Sequence, residues 1–215
     1  MTRMSVDVRR DLLVRAAFRV IADHGVEAAT TRRISAEAGM SLASFHYAFD
    51  SRDELLAELV ARGTSDELAS VTAPLAPPET SDAVHAGDWT LPDDIGALIK
   101  AGLMSYLESV VADPGREAAM ITLAQYARRT EGLEHFATRL YTRYYEIAQV
   151  SLEAAADAMG ATWATDPEYL APLVVAATDG LTLAYLNTGD REVAERIIDA
   201  TVAALLGHLT DPSTS

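Results

Sequence analysis

The stretch that decides the fold is TTRRISAEAGMSLASFHYAFDSRDELL, residues 30–56. Thr30 or Thr31 can cap a short helix that Gly39 ends, and Ser41 can cap a second short helix directly after it. Both helices lie in a segment rich in arginine and aromatic residues. Two short helices joined by a glycine turn are typical of a helix-turn-helix, in which the second helix enters the major groove of DNA.

The flanking segments extend this pattern in both directions. Apolar residues recur with helical period over residues 7–24, and Gly25 follows as a helix-ending residue. On the other side, Ser51 and Glu54 form an S-x-x-E capping box, which predicts a helix that runs to about residue 70. Three short helices and a linking fourth are therefore expected near the N-terminus.

The rest of the chain predicts longer helices and no strands. A segment rich in proline, glycine, serine and threonine, residues 72–94, predicts a long loop. The predicted fold is all-α, with a three-helix DNA-binding domain over residues 1–62, a linking segment over 63–94 and a helical bundle over 95–215. Helices are expected over residues 95–112, 116–130, 133–159 and 167–188, and from a cap at Asp190 to about residue 209.

Charge is distributed unevenly along the chain. The protein has 17 basic and 32 acidic residues, a net charge of −15, which at first argues against a nucleic-acid partner. Residues 1–62, however, hold nine arginines and nine acidic residues and balance at zero. The remaining residues therefore carry the whole −15, and this asymmetry indicates two parts with different roles.

Composition also limits the chemistry of the protein. There is no cysteine, which excludes disulfides, thiolate catalysis and cysteine-based metal sites, and the five histidines show no metal-ligand spacing. We expect no metal, no cofactor and no catalytic residues. The absence of an N-terminal apolar segment and of a long uncharged apolar run predicts a cytoplasmic protein without a membrane partner.

The order of caps, glycine, aromatic residues and capping box in residues 30–56 resembles the signature of the tetracycline-repressor (TetR) family. The resemblance covers about residues 8–60 closely, whereas the remainder matches only in being all-helical with a closing pair of helices. It implies a sequence-specific transcriptional regulator that binds double-stranded DNA at a palindromic operator.

The resemblance also implies roles for individual residues. Base edges would meet the exposed start of the recognition helix, at Leu42, Ala43 and Ser44. His46 stands at a position that is usually tyrosine. Phosphates would be contacted by Thr31, Tyr47 and Arg52, and Arg32 could reach either a base or a phosphate, with Arg33 beside it.

Other side chains near the N-terminus have more than one possible role. Phe45 and Phe49, four residues apart, are expected to belong to the core of the three-helix domain rather than to the DNA contact. The arginines at positions 3, 9 and 10 could form an arm that contacts DNA, or could simply be solvated.

Two apolar stripes near the C-terminus predict a homodimer. They lie on the last two predicted helices and could close a four-helix bundle with a second subunit; the alternative is that both stripes are intramolecular core. The family likewise uses its last two helices for dimerisation. The interface candidates are Leu173, Ala177, Leu181, Ala184, Val193, Ile197, Ala204 and Leu205.

The resemblance implies that the helical bundle binds a small molecule. Pockets are mainly apolar with a few polar groups, and Asp179 interrupts an otherwise apolar run. It could instead pair with an arginine or face the dimer interface. The candidates are Met104, Met120, Tyr126, Tyr141, Tyr145, Asp179 and Thr182.

These features favour a dimeric repressor that a small-molecule ligand releases from its operator. The alternative is a helical protein that binds a small molecule, or an enzyme, without DNA-binding activity. No catalytic motif supports an enzyme.

Overall fold

The computed structural model describes residues 4–73, 92–131 and 133–210. Within these ranges the fold is all-α, as predicted, with a single isolated β-bridge between Trp163 and Leu209. The helices are α1 (Val6–His24), α2 (Thr31–Glu37), α3 (Leu42–Ala48), α4 (Arg52–Thr72), α5 (Ile95–Ala112), α6 (Pro114–Arg129), α7 (Glu134–Met159), α8 (Pro167–Thr188) and α9 (Arg191–Leu206). Most of the predicted loop, at residues 74–91, lies outside the described residues.

Local signals start and end the N-terminal helices where the sequence predicts. The hydroxyl oxygens of Thr30 and Ser41 each accept a backbone hydrogen bond of 3.2 Å at the start of α2 and α3. Gly25 and Gly39 adopt φ angles of 78° and 67°, which other residues rarely adopt. A 3₁₀ turn over Val26–Ala28, which the sequence analysis did not predict, connects α1 to α2.

The capping box at the start of α4 forms with one difference. The Ser51 hydroxyl accepts from the backbone N–H of Glu54 at 3.0 Å, as predicted. The Glu54 carboxylate, however, accepts from the backbone N–H of Asp50 at 2.7 Å, one residue before the cap. The first bond satisfies an N–H group for which the helix start has no internal partner, and the second holds the residue before the cap.

The helices form two compact units, the first made of residues 1–65 and 113–141. Its core combines α1, α2, α3 and the start of α4 with Ala119 and Leu123 of α6. Helix α6 approaches α1 closely, since a Cβ atom on Gly115 would lie 3.6 Å from the Ala22 side chain. The predicted division placed residues 95–215 together, whereas α6 packs with the N-terminal helices because its apolar face extends their core.

The second unit consists of residues 66–112 and 142–215. Its core lies among α5, α7, α8 and α9, with Leu107, Leu181 and Ile198 fully buried. Helices α5 and α9 are also joined by an ion pair between Lys100 and Asp199. This unit therefore contains both C-terminal helices that the sequence analysis assigned to dimerisation.

Helices α5 and α8 are long and apolar enough to cross a membrane by length and composition alone. The same composition is expected of helices whose apolar residues form a protein core. Buried residues of both helices, including Leu103 and Leu170, do belong to the core of the second unit. Their hydropathy therefore has an explanation within the fold.

Candidate nucleic-acid interface

Helix α3 has one buried face and one exposed face. Phe45 and Ala48, with Phe49 directly after the helix, are buried in the core of the first unit, which confirms the core assignment of both phenylalanines. The rings of Phe45 and Phe49 lie 5.8 Å apart between centroids. This buried pair fixes the rotation of α3 about its axis and thereby decides which side chains face outward.

The exposed face of α3 presents a subset of the predicted base-contacting residues. Ala43 and His46 are exposed, and Tyr47 is 56% exposed. Leu42 is half-buried and packs against the core, and Ser44 is also half-buried. The accessible chemistry of this face is thus an imidazole, a methyl group and a phenol.

The Ser44 hydroxyl lies 3.0 Å from the Ser41 hydroxyl, so the two can share a hydrogen bond. Either oxygen can be the donor. A hydroxyl with a local partner at the start of the helix can still accept or donate one further hydrogen bond.

Arg32 and Arg33, in the first turn of α2, are exposed. Within the described part of the chain no carboxylate forms an ion pair with either guanidinium, whereas Arg19 nearby in sequence pairs with Glu37 at 2.7 Å. Thr31, the first residue of α2, is half-buried. The start of α2 therefore carries two positive charges that remain available to an anionic partner.

Arg52 lies at the start of α4, as predicted, but its side chain binds backbone carbonyl oxygens of the protein itself. Its Nε donates to the carbonyl oxygen of Ala29 at 2.9 Å, and its Nη2 donates to that of Val26 at 2.6 Å. Its guanidinium also lies 5.5 Å from the centroid of the Tyr126 ring. These two hydrogen bonds tie α4 to the turn before α2, so two of the three guanidinium nitrogens of Arg52 have backbone partners.

A charge network that the sequence analysis missed supports the exposed face. Arg10 of α1 donates to the carbonyl oxygen of Ala48 at 2.8 Å, to Glu54 at 3.0 Å and to Glu58 at 3.2 Å. Arg62 extends the network through Glu58, at 2.8 Å, and through Asp11. Glu54, Glu58 and Arg62 are four residues apart on α4, so the sequence could have predicted their contacts along the helix. The contacts of Arg10 could not be predicted in this way, because they depend on tertiary structure.

This network makes stability depend on pH. The hydrogen bond from Arg62 lowers the pKa of Glu58, and the backbone N–H of Asp50, followed by Arg10, lowers the pKa of Glu54. A carboxyl group whose pKa is lowered in the folded state stabilises the fold at pH values above its ordinary pKa, which is 4.5 for glutamate. This contribution disappears as the pH falls through the folded-state pKa. We therefore expect Arg62→Met to reduce the loss of stability on acidification below pH 4.5.

The measurement is the urea midpoint of the wild type and of the variant between pH 6 and the onset of acid unfolding. The urea midpoints of the wild type and the variant should converge as the pH falls, because the wild type loses an interaction that the variant already lacks. Arg143→Met is the control, since Arg143 pairs with Glu146 on an exposed face of α7. Parallel curves for the wild type and Arg62→Met would contradict the prediction.

The predicted ligand-binding residues fall in both compact units. In the first unit Met120 is buried and Tyr141 is half-buried, while Tyr126 lines an open groove of about 430 Å³. In the second unit Thr182 is buried and lies 2.8 Å, oxygen to oxygen, from Tyr106. Met104 and Asp179 are half-buried and Tyr145 is exposed. Their assignment to a ligand stays a prediction.

Two of the predicted interface residues are not on the surface. Leu181 and Leu205 have no exposed area and belong to the core of the second unit, so a partner subunit cannot contact them directly. The remaining candidates retain accessible surface. Leu173 and Ala204 are exposed, and Ala177, Ala184, Val193 and Ile197 are half-buried.

Two family descriptions match the chain. Residues 13–59 match the bacterial regulatory proteins of the tetR family, and residues 98–207 match the C-terminal domain of BetI-type transcriptional repressors. The nicotine-responsive transcriptional repressor HdnoR of Paenarthrobacter nicotinovorans is 26% identical over 202 residues, covering 92% of this chain and 96% of that protein. The transcriptional regulator BetI of Rhizobium meliloti is 28% identical over 184 residues, covering 84% and 88%.

The same fold occurs in solved structures. A transcriptional regulator from Rhodococcus sp. Rha1 superposes with a TM-score of 0.69 at 21% identity, covering 94% of this chain and 99% of that one. The second family match, over residues 98–207, alone spans half of the chain. The chain therefore belongs to the TetR family and is a DNA-binding transcriptional regulator.

Proposed function

We propose that the protein is a homodimeric repressor whose residues 1–62 bind a palindromic operator and whose remaining residues mediate dimerisation and the response to a small molecule. The observation that supports this most is the exposed surface of α2 and α3. It combines two exposed arginines, Arg32 and Arg33, with the accessible side chains Ala43, His46 and Tyr47. These groups supply phosphate contacts, base-edge contacts and apolar contacts.

Arg32 and Arg33 are proposed as the main charged contacts. The recognition helix itself contains no arginine or lysine, so charge must come from neighbouring elements. Arg52 is left out of the proposed contacts because its donors bind backbone carbonyl oxygens. The net charge of −15 outside residues 1–62 supports specificity, because an acidic body repels phosphate and weakens non-specific binding.

Salt dependence tests the phosphate contacts. With DNA from upstream of the protein's own gene, log K should fall linearly with log salt, by about 0.9 for each phosphate contacted. Arg33→Ala should reduce the slope by about 2 in a dimer, since each subunit loses one contact. Arg143→Ala, which removes an exposed arginine from α7, is the control of equal charge. A wild-type slope near zero would contradict the proposal.

Dimerisation is proposed through exposed apolar residues of α8 and α9. A short recognition helix buries little surface, and two helices about one turn of DNA apart read a palindrome. Leu173 is 39% exposed, although it lies on the apolar stripe of α8. We expect Leu173→Glu to convert the dimer to monomer in sedimentation experiments, because it would place two carboxylates in an apolar interface.

Val150→Glu is the matched control, since Val150 on α7 is 51% exposed and outside the predicted stripes. It should sediment as the wild type does. A wild type that sediments as a monomer, or a Leu173→Glu variant that remains dimeric, would remove this surface from the proposed interface.

The proposed response to a small molecule draws on the nicotine-responsive relative HdnoR and on the polar groups present in the helical bundle, such as Thr182. A ligand that binds only one conformation shifts the population toward it and lowers operator affinity accordingly. Screening of metabolites by thermal shift, followed by operator release, tests this response. Compounds that stabilise the protein without releasing DNA would count against a repressor controlled by ligand.

A further inference from the structure

Two consecutive arginines of α1 have different surroundings. Arg10 lies 4.1 Å from the centroid of the Phe49 ring and donates to one carbonyl oxygen and two carboxylates. Arg9, its neighbour, has its guanidinium carbon 4.8 Å from the centroid of the Tyr47 ring. Within the described ranges no carboxylate forms an ion pair with Arg9. Arg10 is thus committed to the fold, whereas Arg9 keeps its charge available.

The ring that Arg9 contacts is the exposed one. Tyr47 lies on α3, beside the exposed His46, and more than half of its side chain is accessible. A cation held over an aromatic ring is attracted to it by about 0.5–1 kcal/mol at an exposed site. Unlike a carboxylate partner, the ring does not neutralise the positive charge. The contact therefore restricts both side chains and leaves the guanidinium able to bind an anion.

We propose that Arg9 is a DNA-contact residue, which orients the Tyr47 ring and binds the operator phosphate that accepts the Tyr47 hydroxyl hydrogen bond. This inference rests on the proposed phosphate contact of Tyr47. The contact between Arg9 and the ring places a fixed cation beside the phenol, so one phosphate can meet both groups. Arginine suits this position because its planar guanidinium can stack on a ring and still donate hydrogen bonds to phosphate.

The arrangement joins α1 to the recognition surface. The sequence left the arginines at positions 3, 9 and 10 open as an arm or as solvated residues. Residue 3 lies outside the described residues, and Arg10 is held by the network around Glu54 and Glu58. Arg9 is the described member of this group that can supply charge to DNA next to α3.

The test compares Arg9→Ala, Arg9→Lys and Tyr47→Phe in operator titrations at several salt concentrations, with Arg143→Ala as the control of equal charge. Arg9→Ala should weaken operator binding about tenfold and reduce the salt slope by about 2 in a dimer, with an unchanged melting temperature. Arg9→Lys should retain the slope, because its charge remains, but recover only part of the affinity. Arg143→Ala should leave both quantities unchanged.

A double variant, Arg9→Ala with Tyr47→Phe, measures whether the two residues act together. If the double variant loses less binding free energy than the two single variants lose together, the result supports a phosphate shared by both residues. Additive losses would overturn the shared contact, and an Arg9→Ala variant with wild-type affinity and slope would overturn the proposal altogether. A lowered affinity with an unchanged slope would also overturn it, since Arg9 would then bind no phosphate. If Tyr47→Phe alone has no effect, the proposed role of Tyr47 fails instead.

Discussion

Replacing Phe45 by alanine is expected to lower the free energy of unfolding by about 3–5 kcal/mol, the range for deleting a buried phenylalanine ring. The side chain has no exposed area, lies in the core of the first unit and contacts the Phe49 ring. Truncation would leave a cavity that the surrounding helices can fill only partly. It would also free α3 to rotate, so operator binding should be lost together with stability.

Urea unfolding followed by circular dichroism gives the change in free energy of unfolding. Tyr47→Ala is the matched control, because it removes an aromatic ring from the same helix at a position that is 56% exposed. We expect its cost in stability to stay below about 1 kcal/mol, as is usual for surface positions. Equal urea midpoints for Phe45→Ala and the wild type would contradict the assignment of Phe45 to the core.

The second large effect is expected for Arg32→Ala combined with Tyr47→Phe. In a dimer the pair removes four contacts to DNA, and at about 1 kcal/mol for each contact the loss is about 4 kcal/mol, or about 1000-fold in operator affinity. Both side chains are exposed, so the fold should be unaffected. Electrophoretic mobility shift at constant salt measures the affinity, and sedimentation should show unchanged dimerisation.

Arg143→Ala is the control for the charge that this double variant removes. It takes away an exposed arginine on α7, outside the proposed interface with DNA. We expect wild-type operator affinity for it. A double variant at positions 32 and 47 that binds within threefold of the wild type would show that other residues carry the DNA contact.

Helix positions were predictable because their signals are local. Thr30, Ser41 and Ser51 cap the helices expected of them, and the glycines at positions 25 and 39 adopt positive φ angles. A cap needs only a hydroxyl and an amide three residues later, and both can be read directly along the chain. The difference in net charge between residues 1–62 and the rest of the chain was equally predictable, because it follows from counting charged residues.

The roles of charged side chains were less predictable. Arg32 and Arg52 look alike in the sequence, yet one is exposed and the other binds the carbonyl oxygens of Val26 and Ala29. Arg9 and Arg10 are adjacent in sequence but lie over different rings. The hydrogen-bond partners of Arg10 and Arg52 lie 23 to 48 residues away, so no local pattern reports them.

The apolar stripes of α8 and α9 show the same limit. Helical periodicity identifies a face but not the surface that covers it, and Leu181 and Leu205 prove to be covered by their own protomer.

The sequence by itself determined the helices and the helix-turn-helix, because hydrogen bonds and periodicity within a few residues encode them. It also determined that residues 1–62 have no net charge and that the rest of the chain is acidic. Only the tertiary structure decided which arginines remain free for DNA and which apolar residues remain free for a partner. Packing of distant segments makes that choice, since it occupies the donors of Arg10 and Arg52 while it leaves Arg32 and Arg33 exposed.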